Sequence, residues 1–128
     1  MTMSTPMPKV LFVDDDEALR GAVKFSFGLD GLPVETFASA EALVASHDLG
    51  DAGCLVVDQN LPGMTGMDFL LHLRQLDVMV PAVLITTHPG GELRRRAKAA
   101  GVGIVEKPLL GDELQHSVRR LMDERRAS

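Results

Sequence analysis

The chain contains no tryptophan and no tyrosine, so no mechanism that needs a tyrosine ring to move is open to it. A single cysteine, Cys54, rules out an internal disulfide, and its neighbours Gly53 and Leu55 to Val57 mark it as a small buried thiol on a strand. No continuous apolar stretch of about 18 residues occurs, and no basic-then-apolar leader. Membrane spanning and secretion therefore lack a signal, and a cytoplasmic location is expected. Basic residues are outnumbered 13 to 18, for a net charge of −5, which argues against a surface held to nucleic acid by phosphate contacts. The four histidines, His47, His72, His88 and His116, show no paired ligand spacing, so zinc is not expected.

What the sequence does have is alternation. Five apolar runs, Val10 to Val13, Pro33 to Phe37, Cys54 to Val57, Ala82 to Ile85 and Val102 to Val105, are each followed by a turn-like cluster and then a helical pattern. The helical segments are Glu17 to Leu29, Ala40 to His47, Met67 to Leu76, Leu93 to Ala100 and Asp112 to Arg125. A βα unit repeated five times predicts an α/β doubly wound parallel sheet with helices on both faces. The first, third and fourth runs are continuously apolar and suit central positions, whereas Glu35 and Thr36 suit an edge. Ser39 is an expected N-cap and Gly101 an expected C-terminal cap glycine. In the last helix Leu114, Val118, Leu121 and Met122 form one apolar stripe. One domain is expected over residues 1–128, with its core at about 9–122 and with Met1 to Met7 and Ala127 to Ser128 loose.

Chemistry-bearing residues collect where the strands end. Asp14 and Asp15 follow the first run, Asp58 the third, Thr86 the fourth, and Lys107 and Pro108 the fifth. Open α/β sheets bind ligands at these carboxyl ends, at the switch in strand order. Asp16 and Glu17 are accounted for by the helix start, where acidic side chains complement the dipole. If the first and third strands are neighbours, three carboxylates converge, and their repulsion calls for a hard cation. Magnesium fits best, because it takes few protein carboxylates and accepts phosphate oxygens as further ligands. A hydroxyl from Thr86 and an ammonium from Lys107 beside it would stabilise a transferred phosphoryl group.

The segments Val10-Leu11-Phe12-Val13-Asp14-Asp15-Asp16, Val57-Asp58-Gln59-Asn60-Leu61-Pro62-Gly63-Met64-Thr65-Gly66, Leu84-Ile85-Thr86 and Glu106-Lys107-Pro108 resemble the receiver domain of two-component response regulators, the CheY-like family. The likeness runs from about Lys9 to Met122. It implies a (βα)5 flavodoxin-like fold with strand order 2-1-3-4-5. It also implies that Asp58 is the phosphoacceptor, that Asp15 ligates Mg2+ directly with Asp14 acting through water, and that Asn60 adds its backbone carbonyl. Thr86 and Lys107 would contact the phosphoryl oxygens, and the Lys107-Pro108 bond would be cis. The implied partners are a sensor histidine kinase or phosphotransfer protein and a downstream protein or output domain, and a phosphorylation-dependent homodimer is compatible with them. The state of Asp58 would reach those partners through the surface of the fourth helix, fifth strand and fifth helix.

Three features depart from the family pattern. Ile104 stands where most receivers carry an aromatic residue, Thr87 replaces a small Ala or Gly, and the interval from Gly101 to Lys107 is one residue shorter than is common. They motivate the competing expectation of a receiver-like interaction module that does not cycle. They also suggest a site open to a kinase but selective against small donors. Arg94, Arg95 and Arg96 read first as a solvated helix face and second as a docking patch for an acidic surface. Met64, Met67 and Met79 read as packing fillers. A haloacid-dehalogenase-like phosphatase would carry a second Asp two residues after the nucleophile, where Asn60 stands. A dinucleotide fold would need a glycine turn after the first strand.

Overall fold

A computed structural model describes residues 8–46 and 49–127. Strands β1 (Val10–Val13), β2 (Val34–Phe37), β3 (Cys54–Asp58), β4 (Ala82–Thr86) and β5 (Val102–Glu106) form one parallel sheet in the order β2-β1-β3-β4-β5. Helices α1 (Glu17–Leu29), α2 (Ala40–Ser46), α3 (Gly66–Gln75), α4 (Gly91–Ala99) and α5 (Glu113–Ala127) connect or follow them. The doubly wound fold expected from the alternation is the one observed. β1, β3 and β4 are wholly buried inner strands, and the more polar β2 lies at an edge.

The core has two layers because side chains alternate along each strand. Leu11, Val13, Leu55, Val57 and Leu84 pack with Leu43, Met67 and Leu70 under α2, α3 and α4. Val10, Phe12, Val56 and Ile85 point the other way and pack with Val23, Phe27, Leu114 and Val118 of α1 and α5. Cys54 belongs to this second layer and is fully buried, with its thiol pushed up to about 12 by burial.

The helix ends are set locally. Asp16 caps α1 by accepting from the backbone N–H groups of Ala18 at 3.0 Å and Leu19 at 3.2 Å. Ser39 accepts from Ala42 N–H at 3.1 Å at the start of α2. Gly101 follows α4 with φ of +70°, a conformation that costs glycine little.

Several boundaries differ from the sequence reading. α4 begins at Gly91 rather than Leu93, because the Gly90 carbonyl already accepts from Arg94 N–H at 3.1 Å. α3 begins one residue early at Gly66, and α5 extends to Ala127, so that residue is helical rather than loose. The segment after β3 forms a two-residue hairpin, Asn60–Leu61 against Met64–Thr65, that was not expected. Residues 1–7, His47 and Ser128 lie outside the described residues. Of the three methionines read as packing fillers, Met67 is buried, but Met64 is 38% and Met79 66% exposed.

Because Cys54 is buried and its thiolate disfavoured, a thiol-specific disulfide reagent should leave the native protein unlabelled and modify it at one site after denaturation. Rapid native labelling would contradict this packing.

Candidate functional site at the strand ends

The register of β1 on β3 pairs Val13 with Val57, so the next residues, Asp14 and Asp58, emerge side by side. Both are buried, at 0% and 3% exposure, while Asp15 is exposed. One carboxylate oxygen from each of the three lies within 4.8 Å of the others. Lys107, just past the end of β5, reaches between the buried pair. Its Nζ is 3.2 Å from Asp14 Oδ2 and 3.1 Å from Asp58 Oδ1.

Asp14 is held in place from two sides. Its Oδ1 accepts from Asp16 N–H at 2.9 Å, and its backbone carbonyl accepts from Arg20 Nη1 at 2.8 Å. Asp58 is served less well: Oδ1 is buried and ion-paired, yet receives no hydrogen bond of acceptable angle. Burial first, and then the field of Asp14, hold the Asp58 carboxyl above its usual range, against the opposing pull of Lys107 and of Asn60 N–H. For Lys107 burial favours the neutral amine, but pairing with Asp58 and the field of Asp14 outweigh it and raise its pKa.

Formally, three carboxylates and one ammonium leave a charge of −2. That surplus, the under-served Asp58 Oδ1 and an all-oxygen donor set fit a small hard divalent cation. The acidic cluster is therefore one that could hold a metal.

Thr86 ends β4, buried at 5% exposure, with its hydroxyl donating to the Thr87 carbonyl at 3.2 Å. Its own carbonyl accepts from Lys107 N–H at 2.8 Å, which ties the ends of β4 and β5 together. Thr87 is exposed. The Lys107-Pro108 bond is cis, as the resemblance implied. Ile104 pairs with Leu84 and packs, half-buried, on the α3 and α4 layer.

Two contributors were missed by the sequence reading. Gln59 accepts from Met67 N–H through Oε1 at 2.9 Å and from Gly66 N–H through its carbonyl at 2.9 Å, fixing the start of α3 against the acceptor strand. Gly66 permits that approach: a Cβ there would sit 2.4 Å from the Asp58 carbonyl oxygen.

The sequence profile of the response regulator receiver domain matches residues 10–119. The chain belongs to the response regulator receiver family. It is 37% identical over 119 residues to the C4-dicarboxylate transport transcriptional regulatory protein DctD of Pseudomonas aeruginosa. That match covers 92% of this chain and 26% of DctD. The chain thus spans about a quarter of that relative's length. Among solved structures, the chemotaxis protein CheY4 of Vibrio cholerae superposes with a TM-score of 0.80 at 29% identity, covering 91% of this chain and 99% of that one. A CheY-like receiver protein from Methanospirillum hungatei superposes at 0.83 with 23% identity, covering 95% and 98%, a likeness of fold. Receiver domains of this kind are regulatory modules rather than conventional enzymes. No helix among the described residues is long and apolar enough to cross a membrane.

The receiver's site geometry carries two expectations. Asp58→Asn should raise the melting temperature in metal-free buffer, because it removes a buried, repelled charge; a lower melting temperature in thermal denaturation would contradict this. Gly66→Ala should cost about 1–3 kcal/mol in urea unfolding, because the added methyl meets backbone rather than a movable side chain. An unchanged midpoint would mean that α3 can withdraw from Asp58.

Proposed function

We propose that this receiver accepts a phosphoryl group on Asp58 from a sensor histidine kinase or phosphotransfer protein in the cytoplasm, and passes the change to a downstream protein or output domain by contact. The observation carrying this reading is the under-served, buried Asp58 oxygen 3.1 Å from the Lys107 ammonium, at the strand ends where buried Thr86 also stands. Transfer from a phosphohistidine forms an O–P bond at Asp58 and breaks the donor's N–P bond, and the imidazole keeps the electron pair. Asp15, Asp58 and the Asn60 carbonyl would hold Mg2+, with Asp14 acting through water. When bound, the ion supplies charge neutralisation for the phosphoryl oxygens.

The chain's own residues then form the switch. An acyl phosphate carries more negative charge than the carboxylate it replaces, so Lys107 gains a stronger partner than Asp14. Thr86 can exchange the Thr87 carbonyl for a phosphoryl oxygen. α4 is placed to follow, since its Gly90 N-cap makes no side-chain cap bond. Two ion pairs, Arg94 with Glu106 at 3.0 Å and Arg96 with Asp68 at 2.9 Å, hold the helix. Both are solvent-exposed, and exposed pairs of this kind hold only weakly. These pairs favour the solvated-face reading for Arg94 and Arg96. Ile104 packs under the same helix, so repacking there takes the role an aromatic ring has in relatives that carry one.

The kinase would approach along α1. Phe25 and Leu29 are 70% and 74% exposed and lie one turn apart on that helix. Leu110, 75% exposed, sits on the loop that leads from Lys107 into α5, beside α1 residues Leu19 and Ala22. An exposed apolar strip between two elements that both start at the acceptor site suits a donor that must present its histidine there.

Intact-mass analysis with Mg2+ and a histidine kinase tests the reading. One added phosphoryl group, absent in Asp58→Asn, is expected. Absence of labelling from the kinase and from acetyl phosphate alike would favour the module that does not cycle. Phe25→Glu should slow transfer from the kinase about tenfold, the loss of roughly 1.4 kcal/mol of docking energy, and leave acetyl phosphate labelling unchanged. Equal slowing with both donors would remove α1 as the docking face. Thr87→Ala should speed labelling by acetyl phosphate, because the exposed Thr87 methyl and hydroxyl crowd the approach; an unchanged rate would discard donor selectivity.

A further inference from the structure

A second apolar surface lies on the opposite side of the sheet from α1. Between α3 and α4 a half-open groove of about 400 Å³ is lined by Leu71, Arg74, Met79, Arg96, Ala99 and Ala100. Met79 is 66% exposed, and Leu76, three residues earlier at the end of α3, is 61% exposed. Two large apolar side chains left in water on one short loop do nothing for the core. Methionine in particular adapts its shape to whatever covers it.

The groove's charge is one-sided. Arg74 is half-buried, donating from Nε to the Ala100 carbonyl at 3.3 Å and from Nη1 to the Val78 carbonyl at 2.9 Å. Among the described residues no carboxylate forms an ion pair with it, and burial disfavours its charged form. The second charged wall, Arg96, is neutralised by Asp68. Arg74 therefore contributes a positive charge that has shed part of its water and has only carbonyl dipoles for company. A carboxylate brought to it gains more than at a fully hydrated lysine, because part of the desolvation cost is already met by the fold.

We infer that this groove docks a protein segment that carries a bulky apolar side chain beside a carboxylate. The apolar group covers Leu71, Met79, Ala99 and Ala100, and the carboxylate pairs with the guanidinium of Arg74. The surface uses neither Asp58 nor the α1 strip, so it can be occupied while either is engaged. One of its walls is α4, so a bound segment would also bias the helix that the phosphoryl switch moves.

The test uses the 15N-labelled full chain and two short synthetic peptides that pair Leu and Phe with Glu in one and with Lys in the other. Amide shifts at Leu71, Arg74, Met79, Ala99 and Ala100 are expected with the Glu peptide, whose affinity should exceed that of the Lys peptide about tenfold. Met79→Glu and, independently, Ala99→Glu should each weaken the Glu peptide by a similar factor while leaving the melting temperature within a degree or so of the parent. Both positions are exposed, so neither change disturbs the core. Equal binding of the two peptides, shifts confined to the Phe25 and Leu29 strip, or no shift at millimolar peptide would each overturn the inference. So would concentration-dependent self-association of the free chain that Met79→Glu abolishes, since the occupant would then be a second copy.

Discussion

Asp14 and Asp58 are buried side by side at the ends of two central strands, and one lysine stands between them. Much of the molecule can be read as the means of holding that unfavourable arrangement. The parallel register of β1 on β3 sets the carboxylates abreast, and β4 and β5 bring Thr86 and Lys107 to the same level. The Asp16 cap, the Arg20 contact and the close approach of α3 at Gly66 keep the surrounding backbone in place. A pair of buried carboxylates repels, and the compensating ammonium is shared. The site thus carries a surplus of negative charge that a divalent cation can relieve, and a phosphoryl group on Asp58 would add to that surplus.

The two faces of the sheet divide the work that follows. α1 and α5 pack on one layer, where Gln115 of α5 donates to Ser26 of α1 at 2.6 Å and ties the helices together. That side presents the apolar strip proposed for the phosphodonor. α2, α3 and α4 pack on the other layer, and α4 is secured there by exposed ion pairs and by the Arg74 contact to the carbonyl of Ala100, the residue that caps its end. A helix anchored by Ala97 and its C-terminal cap, and otherwise held by partly buried Leu93 and exposed ion pairs, suits a pivot, so a change at Thr86 has an element able to answer it.

Much of this was legible in the sequence. Apolar runs ending in acidic, hydroxyl or basic residues placed every member of the charged cluster, and Asp16, Ser39 and Gly101 marked helix ends by side chain or backbone chemistry alone. The features that escaped are those set by distant neighbours. A two-residue hairpin after Asp58 has no periodicity to read. Gln59 and Arg74 act by reaching backbone groups of other turns, which a polar residue in a sequence does not disclose. α4 starts at Gly91 although glycine is a poor helix former, because packing of Ala97 and Leu93 on the sheet overrides local propensity. Met79 was misjudged because composition cannot tell a methionine that fills a gap from one left in water.

If phosphorylation of Asp58 throws the switch, Lys107 and Thr86 leave their present partners when it carries a phosphoryl group. A crystal structure with Mg2+ and beryllium trifluoride, a stable mimic of the acyl phosphate, tests it most directly. The prediction is an ion held by Asp15, Asp58 and the Asn60 carbonyl, Lys107 Nζ moved from Asp14 to a fluoride, and the Thr86 hydroxyl turned from the Thr87 carbonyl to another fluoride. A mimic bound at Asp58 with Lys107 still on Asp14 and Thr86 still on Thr87 would contradict it.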